Sequence, residues 1–182
     1  MSMFVSLLRG INVAAQKTIR MADLKALYEQ LGFSHVRTYL QSGNVVFESP
    51  DQAAETLAET IEAQIERSFD FPVSILMRNG RELQQVIDSN PFLHGRNEDP
   101  GRLYVTFIKS SLSLSKVSSL KIPEGEMDEF VVSEKEIFLF CPNGYGRTKL
   151  SNTFFEKKLD LTATTRNWNT VLALRQMAQE GH

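Results

Sequence analysis

Residues 35–48 have the sequence HVRTYLQSGNVVFE. Two runs of strand-forming residues, 35–40 and 45–48, flank the turn 41–44, which reads Gln-Ser-Gly-Asn. Turn residues between two runs rich in β-branched and aromatic side chains are typical of a β-hairpin. We therefore predict two adjacent antiparallel strands here, and the elements on either side indicate which fold contains them.

Upstream of this hairpin, the sequence predicts one strand and one helix. The nearly continuous apolar run at residues 3–9 is typical of a strand that is buried on both faces. Apolar residues recur at helical spacing from Met21 to Leu31, and Gly32 follows them as a stop signal. The hairpin is therefore preceded by a strand and a helix.

Downstream of the hairpin, the sequence predicts a helix, a strand and a second, shorter helix. Ser49 is expected to cap the first of these helices, with Pro50 as its first residue. A strand follows at residues 73–77, and the pair Asn79 and Glu82 has the spacing of a capping box for the short helix. The resulting order, β-α-β-β-α-β plus a helix, is that of a ferredoxin-like unit.

The second half of the chain has a similar order of predicted elements. They are a strand at 103–108, a helix at 112–120, a hairpin of 130–132 and 137–141, a helix that begins near Ser151, and a helix from about Asn167 to Gln179. No sequence repeat accompanies this order. We predict an α+β protein with two ferredoxin-like (βαββαβ-type) halves and a closing C-terminal helix. Residues 1–91 form the first half, 92–101 a linker, and 102–182 the second α+β half.

The composition is that of an ordinary globular protein. The chain has 182 residues, a formal net charge of -2 and a pI of about 6.0, which argues against a dedicated nucleic-acid or anionic-membrane surface. Its single cysteine, Cys141, excludes an intrachain disulfide and a cysteine-based zinc site. The N-terminal apolar run is too short for a signal sequence or a membrane span, so we expect a cytoplasmic protein.

No motif in the sequence predicts catalysis. The histidines His35, His94 and His182 lack the spacing of metal ligands, so no metal site is expected. The chain contains neither a G-x-S-x-G elbow nor a G-x-G-x-x-G loop, and residues 144–149 lack the spacing of a phosphate-binding loop. We therefore predict no cofactor; the catalytic residues, if the chain has any, are unknown, and whether the chain is an enzyme stays open.

Polar residues lie where strands are predicted to end and helices to begin. If the first and third strands are neighbours, the end of the first lies beside the start of the third. A helix start also favours an anion, through its free amides and its dipole. On this basis the candidate ligand-binding residues are Arg9, Asn12, Lys17, Arg37, Gln41, Ser42, Asn44, Arg147, Lys149, Thr165, Arg166 and Asn167.

Each of these residues also has a structural interpretation. Arginine and asparagine side chains at turns often satisfy loop carbonyls or cap helices. Asn44 is expected to be the left-handed residue of a turn, and Thr165 an N-cap. Trp168 and Cys141 are expected to be core residues, and the acidic stretch 124–129 a solvated surface.

Two classes of function remain open. The first is a protein, which could be an enzyme, that binds a small anionic or phosphorylated ligand. The second is a protein-protein interaction or regulatory module without a small ligand, working as a homo-oligomer. RNA binding ranks below both, because Ser42 and Asn44 stand where an RNA-recognition sheet would place stacking aromatic residues.

Several stretches of the chain are similar to a known family. They are LLRGINV at 7–13, VRTYLQSGNVVF at 36–47, GRTKL at 146–150 and TTRNWNTV at 164–171. In that order they resemble the bacterial family catalogued as domain of unknown function 1697. The resemblance implies a compact α+β protein with ferredoxin-like halves and no established activity. Here Ala14 and Ala15 stand where the family often has Gly-Gly, Thr148 replaces a usual serine, and Asp160 stands where glycine is common.

Overall fold

The computed structural model describes residues 1–180. Its strands are β1 (Ser2–Leu8), β2 (Ser34–Tyr39), β3 (Asn44–Ser49), β4 (Ile75–Asn79), β5 (Leu103–Ile108), β6 (Glu129–Val132), β7 (Glu136–Phe140) and β8 (Ala163–Asn167). Its helices are α1 (Met21–Gln30), α2 (Ala54–Phe69), α3 (Gly80–Asp88), α4 (Leu114–Ser118), α5 (Asn152–Leu159) and α6 (Trp168–Gln179). His182, one of the three histidines considered above as metal ligands, lies outside the described residues.

The strands form two four-stranded antiparallel sheets with the same topology. The first has the order β2-β3-β1-β4 and the second the order β6-β7-β5-β8. In each sheet the first strand along the chain, β1 or β5, lies between two other strands. The elements of each half follow one another in the order β-α-β-β-α-β. The predicted α+β fold with two ferredoxin-like halves and a C-terminal helix is therefore confirmed.

Contacts group the chain into two compact units, Met1–Gln84 with Ala173–His182, and Gln85–Leu172. In the first unit, α1 and α2 cover one face of the sheet and bury an aromatic cluster that includes Phe4, Tyr28 and Phe47. The hydroxyl of Tyr28 lies 2.6 Å from Ser6 Oγ inside this core, and its burial raises the pKa of Tyr28. The predicted linker at 92–101 stays a prediction.

In the second unit, α5 packs on the sheet with an apolar core around Leu139, Cys141 and Phe155. Burial raises the pKa of Cys141 to about 12, so its thiol stays protonated at neutral pH. Trp168 is also buried. Both residues are core residues, as expected from the sequence. No helix in residues 1–180 has the length and apolar character needed to cross a membrane.

Two predicted helix starts are wrong. Ser49 is the last residue of β3, where it pairs with Ser2, and α2 begins only at Ala54. Thr165 lies inside β8, a strand that the sequence analysis missed, and the cap of α6 is Asn167, whose Oδ1 accepts from the amide of Thr170 at 2.8 Å. In both places strand pairing extends through a residue that has a helix-capping side chain.

The two sheets share a short sequence pattern that becomes visible when their strands are aligned. β1 contains MFVSLL and β5 contains LYVTFI, with a buried hydroxyl residue, Ser6 or Thr106, at the same place. β4 and β8 both end in Arg-Asn, and in both strands the arginine is buried. The asparagine then caps the following helix in each case. This agreement supports an internal duplication, which element order alone had suggested.

The turn between β2 and β3 contains a left-handed residue that is not glycine. Leu40 has a φ of 60°, and its side chain is 53% exposed, so packing does not compensate for the strained backbone.

We expect Leu40→Gly to raise the free energy of unfolding by about 0.5–1 kcal/mol, since glycine removes the strain but has more freedom when unfolded. Urea denaturation measures the change. Leu40→Ala is the control, because alanine keeps the strain; an equal gain in both variants would contradict this explanation.

Candidate functional site

The predicted proximity of strand ends is confirmed in the first sheet. Leu7 of β1 pairs with Asn44 of β3, and the amide of Leu8 donates to the carbonyl of Gly43 at 2.9 Å. The loop at 10–20 and the turn at 40–43 therefore lie at the same end of this sheet. Five of the predicted residues besides Asn44 belong to this end: Arg9, Asn12, Lys17, Gln41 and Ser42.

Two polar side chains of the loop at 10–20 bind the backbone. Asn12 Nδ2 donates to the carbonyls of Ile19 at 3.0 Å and Gln41 at 2.8 Å, while its Oδ1 accepts from the amide of Ile19 at 2.8 Å. Lys17 Nζ donates to the carbonyl of Pro72 at 2.9 Å. These bonds fix the loop at 10–20 against its neighbours. A role of these residues in ligand binding stays a prediction.

Asn44 is a strand residue, and the expectation that it is left-handed is wrong. It is fully buried, and its Nδ2 donates to the carbonyl of Tyr39 at 2.7 Å and to Ser42 Oγ at 3.1 Å. The left-handed positions of the turn are instead Leu40 and Gly43. The side-chain amide of Asn44 therefore holds the two strands of the hairpin together across the turn.

The loop at 10–20 has an unusual backbone. Asn12, Ala14, Ala15 and Lys17 all have positive φ values between 47° and 60°. Left-handed backbone favours glycine, which explains why Gly-Gly suits the positions of Ala14 and Ala15. Strained loops of this kind occur at functional sites, and they also occur where tight turns are held by hydrogen bonds such as those of Asn12.

Arg37 lies away from this loop. It extends from β2 to the end of α6, where it donates to the carbonyl of Met177 and, from Nη1, to Glu180 Oε2 at 3.1 Å. Both contacts lie within the first unit. The guanidinium of Arg37 therefore attaches the C-terminal end of α6 to the edge strand of the first sheet.

The remaining predicted residues belong to the second unit. Arg147 is exposed, Lys149 Nζ donates to the carbonyl of Glu124 at 3.0 Å, and Thr165 Oγ1 lies 2.8 Å from Thr106 Oγ1. Arg166 is buried, donates to Thr164 Oγ1 at 2.8 Å, and has its pKa lowered to about 10 by burial. Asn167 is the cap of α6 described above.

A cavity of about 860 Å³ in the first unit is lined by a different set of residues. They are Met1, Ser2, Met3, Phe4, Asn79, Gly80, Arg81, Gln84, Arg175, Ala178 and Gln179. Two arginines are among them, and no aspartate or glutamate is. None of the twelve predicted residues lines this cavity. In residues 1–180 no three His, Cys, Asp or Glu side chains lie close enough to hold a metal ion.

The two arginines come from different elements. Arg81 is the second residue of α3, and Arg175 projects from α6. The Nε of Arg175 is buried and has no hydrogen-bond partner among the described residues. A buried donor without an acceptor costs about 1–3 kcal/mol, or more for a charged group. The cavity therefore contains a cation whose hydrogen-bonding capacity is not fully used by the protein.

The start of α3 adds backbone donors to this wall. The predicted capping box is confirmed: the amide of Asn79 donates to Glu82 Oε2 at 2.8 Å, and the amide of Glu82 donates to Asn79 Oδ1 at 2.9 Å. The box satisfies the third amide of the helix but leaves those of Gly80 and Arg81. Gly80 and Arg81 both line the cavity.

Neither arginine is among the residues predicted from the sequence, although one indication of Arg81 was present. A positive side chain in the first turn of a helix opposes the helix dipole, at a cost of about 0.3–1 kcal/mol. Arg81 stands two residues after the cap that the sequence predicted, so its unfavourable position could have been noticed. Nothing in the sequence indicated Arg175, because only folding brings the end of α6 to the start of α3.

Comparisons with known proteins agree with this fold. The model of the family described as a protein of unknown function, DUF1697, matches residues 1–138. The structure of the conserved bacterial protein SP0830 from Streptococcus pneumoniae is similar, with a TM-score of 0.75 and 24% sequence identity over 97% of this chain and 98% of that chain. At this identity the likeness shows the fold alone. No curated protein sequence matches the chain. Because the family model covers most of its residues, the chain belongs to the DUF1697 family.

Proposed function

We propose that this protein binds a small anionic ligand in the cavity lined by Arg81 and Arg175. The observation that carries the proposal is that two arginines and no aspartate or glutamate line the cavity. Elsewhere in the first unit, cations such as Arg20 have an acidic partner, here Asp23 at 2.8 Å. A bound anion would provide the missing negative charge for these two arginines.

The position of Arg81 supports the same proposal. Helix dipoles make anions favourable and cations unfavourable in a first turn, so Arg81 weakens α3 in the absence of a ligand. Sites that bind ligands often retain groups that are unfavourable for stability. An anion at the start of α3 would interact favourably with the dipole, with the free amides and with Arg81 at the same time.

The test is a thermal-shift series with sulfate, phosphate, pyrophosphate and citrate, each compared with chloride at equal ionic strength. An anion that binds only the folded state raises its stability, by about 2.7 kcal/mol at a hundredfold excess over the dissociation constant. We expect at least one of these anions to stabilise the protein. Arg175→Gln is expected to weaken its binding about tenfold or more, because a charge-assisted hydrogen bond contributes about 1.5–3 kcal/mol.

A matched control separates the site from general charge effects. Arg67 is exposed on α2, and Arg67→Gln changes the net charge by the same amount without altering the cavity. Arg67→Gln should leave the affinity unchanged. An equal loss in both variants, or no stabilisation by any anion, would overturn the proposal. If Arg9→Gln abolished binding while Arg175→Gln did not, the ligand would lie at the end of β1 instead.

A further inference from the structure

The positive charge of the cavity exceeds what a carboxylate ligand needs. Arg81 and Arg175 provide two formal charges, and the start of α3 adds the equivalent of about half a charge. A carboxylate, a sulfate ester or a phosphodiester carries a single negative charge. A phosphate monoester carries about -1.5 to -2 at neutral pH. The monoester therefore matches the charge of this wall most closely.

The number of donors favours the same group. Each guanidinium has five N–H donors in a planar arrangement, and the amides of Gly80 and Arg81 add two more. A carboxylate has two oxygens to accept these bonds, whereas a phosphate monoester has three terminal oxygens that can each accept more than one. Helix starts combined with arginine are a common arrangement for phosphate.

The size of the cavity indicates that the phosphate carries an organic group. A volume of about 860 Å³ lies at the upper end of the range for sites that hold small organic molecules, and a free phosphate ion would fill little of it. Beside the charged end, the wall includes Met3, Phe4 and Ala178. These apolar side chains can contact the body of a ligand whose anionic end lies at Arg81 and Arg175.

We infer that the ligand is a phosphate monoester of a small organic molecule, with its phosphate held by Arg81, Arg175 and the start of α3. This inference rests on the proposed function and specifies its ligand class. The apolar side chains of the cavity contact the organic part, and the two guanidinium groups neutralise the dianion. Because phosphodiesters carry one charge per phosphate, nucleic-acid backbones do not meet the same requirement.

The experiment is calorimetric titration of the protein at pH 8 with four probes: phenyl phosphate, phenyl sulfate, benzoate and inorganic phosphate. Phenyl phosphate is then a dianion, whereas phenyl sulfate has nearly the same shape and one charge. We expect phenyl phosphate to bind about tenfold more tightly than phenyl sulfate or benzoate, because the second charge interacts with a second guanidinium. Inorganic phosphate is expected to bind more weakly than phenyl phosphate, since it lacks contacts with Phe4.

The variants distinguish this inference from the proposed function. Arg81→Gln should remove most of the preference for phenyl phosphate over phenyl sulfate, while Arg67→Gln should retain it. Equal affinities for phenyl phosphate and phenyl sulfate would overturn the inference, and the proposed function would stand if Arg175→Gln still weakened both. If inorganic phosphate bound as tightly as phenyl phosphate, the inference that the phosphate carries an organic group would be overturned. No binding of any probe would overturn this inference, and it would overturn the proposed function as well if no anion of the thermal-shift series stabilised the protein.

Discussion

Gly43→Ala is expected to lower the free energy of unfolding by about 2–5 kcal/mol. Gly43 has a φ of +86°, where an L-residue with a Cβ is strained by about 1–2 kcal/mol. An added Cβ would also lie 2.6 Å from Ile11 Cδ1 and 2.9 Å from Leu8 Cβ, both in buried side chains. Overpacking of this kind typically costs a further 1–3 kcal/mol. The two effects add because one acts on the backbone and the other on the core.

Denaturant unfolding of Gly43→Ala and Gly32→Ala separates these two effects. Gly32 has nearly the same φ, +88°, but an added Cβ would have no heavy atom within 4 Å. Gly32→Ala should therefore cost only the backbone strain, about 1 kcal/mol. If both variants lost the same stability, the close approach of Gly43 to Leu8 and Ile11 would contribute nothing.

The sequence predicted most elements of the fold because their patterns are local. Strand β5, for example, has the same bounds as predicted, since its apolar run ends at clear turn residues on both sides. The pair Asn79 and Glu82 has a spacing that works only at a helix start, and both of its hydrogen bonds are present. Such patterns depend on residues a few positions apart, so they can be recognised in the sequence alone wherever the tertiary structure does not override them.

The missed strand shows where local reasoning fails. β8 contains Thr164, Thr165 and Arg166, polar residues that a solvent-exposed turn or helix start would also have. Its place in the sheet depends on β5, more than fifty residues earlier, where Thr106 provides a hydroxyl partner for Thr165. Ser49 failed as a helix cap for a similar reason, because pairing with Ser2 keeps it in β3. Long-range pairing overrides local preference in both cases.

The candidate site was less predictable than the fold. The sequence correctly indicated that the ends of β1 and β3 lie together, since that follows from the ferredoxin-like order. It could not indicate that Asn12 would use its amide on the backbone, or that Arg81 and Arg175 would line one cavity. A side chain's type gives its bonding capacity, but only its position in the fold shows which of its bonds remain available to a ligand.

Asn12→Ala is expected to lower the free energy of unfolding by about 2–3 kcal/mol. The change removes two donated bonds and one accepted bond, and a typical bond contributes about 0.5–1.5 kcal/mol. It also places alanine at a φ of 55°, a conformation that asparagine tolerates better. Lys17→Ala is the comparison in the same loop; it removes one exposed bond to Pro72 and should cost less than about 1 kcal/mol.

Unfolding and binding measured together decide what Asn12 does. If its role is structural, Asn12→Ala loses stability without any ligand, and its affinity for phenyl phosphate equals that of the unchanged protein at temperatures where both are folded. A ligand-binding role would give the opposite pair of results: a small change in stability and a clear loss of affinity. The three bonds from Asn12 to Ile19 and Gln41 predict the first pair. The second pair would move the candidate site from the cavity of Arg175 to the loop at 10–20.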